Sequence, residues 1–124
     1  MLGKIILWIS GVVFIAYGLA CFFSPALPAG YAGLDMTNGD AFAEIGAMYG
    51  GLQAGFGLFC VLAALKPEYT RAGLMLLVIC IGLLAVGRLY STLTGPGDVG
   101  FYPWGAMAYE FATATLAAVA LRKT

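Results

Sequence analysis

The run Ile5-Ile-Leu-Trp-Ile-Ser-Gly-Val-Val-Phe-Ile-Ala-Tyr-Gly-Leu-Ala-Cys-Phe-Phe23 carries no charged side chain. Coiled as a helix it would reach roughly 27 Å, close to the ~30 Å hydrocarbon core of a bilayer. Three more mainly apolar runs follow, each with a single charged residue: Phe42–Leu65, Ala72–Thr94 and Pro103–Leu121. Together they predict an all-α integral membrane four-helix bundle, one transmembrane domain over residues 1–124, with short loops. The first run is longer than the apolar core of a secretory signal peptide and ends in Cys-Phe-Phe rather than at a small-residue cleavage site. It is therefore expected to remain as a spanning helix.

Composition leads to the same class. Of 124 residues 62% are hydrophobic and 10% charged, with six basic and six acidic side chains and no histidine. A soluble domain carries about 25% charged residues, and twelve charges cannot coat a body of this size in water. Zero net charge supplies no basic face for phosphates, so no nucleic acid is expected as a partner. Without histidine, most zinc, haem and Ser-His-Asp chemistry is closed. No metal and no cofactor is expected. Cys21, Cys60 and Cys80 fall inside apolar runs at unmatched positions and read as small inert hydrophobes.

The breaks between runs are chemically distinct. Ser24-Pro-Ala-Leu-Pro-Ala-Gly30 and Asp35-Met-Thr-Asn-Gly-Asp40 combine proline, glycine and capping residues and predict a loop. Lys66-Pro-Glu-Tyr-Thr-Arg71 predicts a tight polar turn. Gly95-Pro-Gly-Asp-Val-Gly100 cannot continue a helix. Its spacing matches the dinucleotide fingerprint, but that motif works between a strand and a helix, which this segment does not join. Lys4, Lys66, Arg71, Arg122 and Lys123 all fall at the N-terminus, the second connection or the C-terminus, while the first and third connections carry only Asp35, Asp40 and Asp98. Basic residues stay cytoplasmic, so both termini are expected inside. Trp8 would mark the inner interface, and Tyr31, Tyr102 and Trp104 the outer one.

Eighteen glycines are about twice the average usage. Stepping 100° per residue through the second run, Gly46, Gly50, Gln53 and Gly57 share one face, and Glu44, Met48, Gly51 and Gly55 the opposite one. Small residues let helix backbones approach, so this helix is expected to pack on both faces. Gly11 and Gly18 in the first run, and Gly73, Cys80 and Gly87 in the third, repeat at seven-residue steps and predict packing seams.

Glu44, Arg88 and Glu110 are the charges that the connections do not explain. Along the helix axis Glu44 lies ~33 Å from Lys66, Arg88 ~26 Å from Arg71 and Glu110 ~18 Å from Arg122. The heights of Arg88 and Glu110 then differ by ~8 Å, which two long side chains bridge. A charge at mid-membrane costs about 2.5–3.5 kcal/mol on insertion scales and should face inward and find a partner. Glu110 is flanked by Ala106, Ala114 and Ala117 and is expected to be buried against Arg88. Glu44 has a second reading, as complement to the positive end of its helix, and Arg88 has one as a side chain reaching up to headgroups. With Tyr49, Gln53 and Tyr90 nearby, the three form either a ligand-binding polar cluster or a structural network that sets helix registry.

At these residues the chain resembles a known group. Glu44-Ile-Gly-Ala-Met-Tyr-Gly-Gly-Leu-Gln-Ala-Gly-Phe-Gly57, Gly87-Arg-Leu-Tyr90 and Glu110-Phe111 are similar to a bacterial family of small four-helix membrane proteins classed as a domain of unknown function. In size and layout that family looks related to the DoxX-like proteins. The resemblance spans nearly the whole chain. It implies an integral membrane fold and residence in the bacterial cytoplasmic (inner) membrane, and brings no activity.

Three functional classes follow. The first is a binding or accessory module, docked on a larger membrane complex or holding a lipid-like or small-molecule ligand at the polar cluster. The second is an oligomeric proton- or cation-coupled transporter or channel using Glu110 and Glu44. The third, a membrane enzyme, has the least support, because no catalytic set is legible. Expected partners are membrane lipid and a homo-oligomer or larger membrane complex.

Overall fold

The computed structural model describes residues 1–97 and 99–124; the position expected for Asp98 lies outside them. Five helices follow one another: α1 (Leu2–Phe23), α2 (Ala26–Ala32), α3 (Gly39–Leu65), α4 (Pro67–Thr94) and α5 (Phe101–Arg122). All but α2 are long and apolar enough to cross a membrane. The all-α, four-span class read from hydropathy is the class observed, and the chain is a membrane protein.

The ends of the helices depart from the hydropathy reading in three places. First, the connection after α1 is not an open loop, since residues 26–32 form a helical turn of their own. Pro25 stands at its N-cap and Pro28 within its first turn, positions where a missing N–H costs no helical bond. Gly33, at φ 74°, closes it, with its own N–H donating to Gly30 O and the Leu34 N–H donating to Ala29 O. A β-carbon is strained at that backbone angle, so glycine belongs there. Second, α3 begins well before Phe42. Asn38 accepts a bond from the Ala41 N–H at 3.1 Å, and Asp40 lies in the first turn. Third, the polar segment after α3 is almost all helix. Only Lys66 is extended, as a residue before proline prefers, and Pro67 opens α4. The Thr70 hydroxyl donates to Ala63 O at 2.8 Å, which satisfies a carbonyl at the end of α3.

The described chain divides into two compact units. One comprises residues 7–62: most of α1, then α2 and most of α3. It is held by backbone approach at glycine. A β-carbon at Gly11 would stand 3.0 Å from Gly57 O, and one at Gly57 would stand 2.7 Å from Gly11 O. One at Gly18 would meet Ala54 N at 2.5 Å, and one at Gly50 would meet Phe22 Cα at 2.7 Å. The seam expected at Gly11 and Gly18 thus finds matching glycines on α3. Phe14 and Phe56 fill the space beside it, with ring centroids 5.1 Å apart.

The expectation that α3 packs on both faces is corrected. Gly50 and Gly57 are buried, but Gly51 and Gly55 are exposed. Among the described residues, a β-carbon at Gly55 would meet nothing within 4 Å, and one at Gly51 only the Gly46 carbonyl of its own helix at 3.8 Å. Gly46 is half-buried and likewise has room. Among the described residues the close contacts of the α3 glycines are all with α1, so the wheel's sorting into two faces holds but only one of them meets a helix.

The second unit comprises residues 1–6 and 63–124, in which α4 and α5 form an antiparallel pair. Leu74, Leu77, Ile81 and Ala85 of α4 are buried, as are Met107, Ala117 and Ala120 of α5. A π-helical turn, Leu77–Ile81, interrupts α4. It corrects the seam expected at Gly73, Cys80 and Gly87. Gly73 is buried, but Cys80 and Gly87 are exposed, because the extra residue per turn rotates everything beyond it away from the original stripe.

Candidate functional site

Two spans place charges against one another in the second unit. Arg88 sits in the second half of α4, and Glu110 lies near the middle of α5. The Arg88 Nε–H donates to Glu110 Oε1 at 3.0 Å and an Nη2–H to Oε2 at 2.9 Å. Both carboxylate oxygens are thus engaged by one planar fork, the strongest and most directional form of this pair. The Glu110 side chain is 7% exposed and that of Arg88 27%. The carboxylate is sealed in, while part of the arginine side chain remains accessible.

Neighbouring residues explain how a charge is held there. Along α5, Tyr102, Ala106 and Glu110 recur at four-residue steps and share one side of the helix. Ala106 is small enough to let an arginine pass beside it. The Tyr102 ring centroid then stands 6.0 Å from Arg88 Cζ, at the outer limit of a cation–π contact. Reading Tyr102 only as an interfacial aromatic misses this role, although its place two four-residue steps before Glu110 was a usable sign. Thr113, one turn on from Glu110, is also buried.

The remaining residues of the expected cluster are placed as follows. Tyr90, two residues beyond Arg88 on α4, is exposed. Glu44, Tyr49 and Gln53 belong to the other unit, on α3. Glu44 is exposed and follows Asp40 by one turn near the capped start of that helix, a position that favours acidic side chains. Tyr49 is exposed and Gln53 half-buried. Among the described residues no three acidic or cysteine side chains gather closely enough to hold a metal ion.

Chemically the pair is a net-neutral, bidentate ion pair whose arginine side chain is partly accessible beside an aromatic ring. Because both oxygens of Glu110 already accept from Arg88, the carboxylate is poorly placed to take up a second cation without giving up its partner.

A family model described as domain of unknown function (DUF4345) matches residues 2–121. No curated protein and no solved structure matches the chain. None of these comparisons links it to the DoxX-like proteins.

Proposed function

The chain belongs to the DUF4345 family, and from that premise we propose that it is a membrane binding module in which the Arg88–Glu110 pair holds the polar head of a lipid-like ligand. The observation that carries this reading is the unequal burial of the two partners. A pair kept only to fix helix registry gains nothing from leaving its arginine side chain 27% exposed, and apolar side chains of similar volume serve packing as well or better. An intramembrane arginine whose side chain is partly accessible beside an aromatic ring suits an oxygen acceptor such as a carbonyl, phosphate ester or quinone-like head.

The same proposal places the protein in the bacterial cytoplasmic membrane with both termini inside, on the strength of five basic residues confined to one set of ends. It also gives it a protein partner, a second copy or a larger membrane complex. Ala43, Ala47, Gly51 and Gly55 are exposed at four-residue steps on α3, a small-residue pattern that suits helix association. Recovery from mild detergent of a single chain, alone, would count against that part.

The test of ligand binding is native mass spectrometry of the protein extracted with its membrane lipid. The wild type should retain a bound lipid-like mass. The charge-free double variant Arg88→Leu/Glu110→Leu should lose it while keeping its helical content. Retention of the same mass by a folded double variant would overturn the reading. Proton or cation flux in proteoliposomes that Glu110→Gln abolishes would replace it with the transporter.

A further inference from the structure

The short helix α2 carries its side chains in the reverse of the order that water imposes. Pro28 and Ala29 are buried, and Pro25 and Ala32 half-buried, at the i, i+3, i+4, i+7 spacing of one helical face. The large apolar residues stand on the other side. Leu27 is 60% exposed and Tyr31, one turn later, 74%. A helix on a water-facing surface buries its largest apolar groups and shows its small and polar ones. Here the outward face consists of Ala26, Leu27, Gly30 and Tyr31, without a charge. No charged residue occurs anywhere from Ile5 to Leu34.

Position along the chain fixes the depth. From Lys4 to Phe23 helix α1 rises roughly 28 Å, about one hydrocarbon thickness. If Lys4 is anchored in one polar interface, Phe23 reaches the opposite boundary and α2 begins there. The exposed apolar surface of α1 (Val12, Leu19, Phe22 and Phe23) is the lipid contact of a spanning helix, and Leu27 and Tyr31 continue it past the end of the span. Tyrosine, an apolar ring with a polar tip, is a residue of that boundary.

We propose that α2 is an interfacial helix whose Leu27–Tyr31 face is buried in the lipid of the leaflet opposite Lys4. It would sit ~5–10 Å below the headgroup level, as in-plane amphipathic helices do. Its partner is the lipid surface itself. Gly33 and the polar stretch that follows then return the chain to water before α3 re-enters.

Tryptophan placed at Leu27 or at Tyr31, in a Trp8→Phe/Trp104→Phe background, reports the depth by fluorescence in vesicles. Thr37→Trp in the polar stretch serves as the water-exposed reference. The expected result is loss of most emission with lipids brominated near the glycerol end, a smaller loss with lipids brominated near the chain terminus, and weaker quenching by acrylamide than at Thr37→Trp. Acrylamide quenching equal to the reference would put the face in water and overturn the proposal. Protection from both quenchers would put a protein surface there and overturn it equally. The unmutated chain supplies a second measurement: a lipid with a photoreactive group at the glycerol end should label the peptide containing Leu27 and Tyr31. Absence of label there, with label present on α1, would also overturn it.

Discussion

Glu110 shows at the scale of one residue what a low-dielectric environment demands. Its carboxylate is sealed within its unit, and each oxygen accepts from the guanidinium of Arg88. Removing one partner leaves the other buried and uncompensated, which is the costly step, while replacing both with apolar groups is cheap. Glu110→Ala should therefore destabilise the protein by about 2–3 kcal/mol, somewhat less than for a fully buried pair because Arg88 can reach towards headgroups. Arg88→Leu/Glu110→Leu should lie within about 1 kcal/mol of wild type. Reversible unfolding in mixed micelles, arranged as a double-mutant cycle, measures both, and additive single effects would show that the pair is not coupled. Pairing of these two residues was legible in the sequence because so few charges lie in the apolar runs and their heights can be counted from basic anchors. The approach of Tyr102 was not read there, since an aromatic near a helix start is equally expected at an interface.

At the scale of elements, glycine has two different uses. Gly11, Gly18, Gly50 and Gly57 lie where α1 and α3 touch through their backbones, and even a methyl group must push the helices apart. Gly57→Ala should cost about 1–3 kcal/mol as an overpacking change. Gly55→Ala enters open space on the same helix, so it should be neutral or stabilising by up to about 1 kcal/mol through helix propensity. Thermal unfolding of the two variants in one detergent separates these outcomes. If they destabilise equally, the exposed face of α3 is covered by something outside this chain. At the start of the same helix, Asn38→Ala should remove the cap on Ala41 and cost about 1 kcal/mol, visible as faster amide exchange over the first turn. That α1 and α3 carry glycines for packing was legible in the sequence. How far such seams extend was not: α1 covers only one of the two glycine faces of α3, and on α4 the π-helical turn Leu77–Ile81 departs from the angular step a helical wheel assumes.

At the scale of the whole molecule, the twelve charges define the topology to be tested. A phosphatase reporter active only outside the cytoplasm should be active when fused after Thr37 and inactive when fused after Glu68 or at the C-terminus. The opposite pattern would refute the orientation proposed from the basic residues. Sequence alone determined the class of this protein and the number of its spans. Both depend on the sum of transfer free energies over about 20 residues, a local quantity that no packing detail reverses. Sequence likewise singled out Arg88 and Glu110, because a charge in lipid is too costly to be incidental. Only the tertiary structure decided that these two meet as a bidentate fork under Tyr102. It alone showed that one face of α3 is packed while the other is open, and that the connection after α1 is a helix with its large side chains outward. Each of those depends on which surfaces the chain leaves to itself and which to its surroundings, and that is a property of the assembled helices.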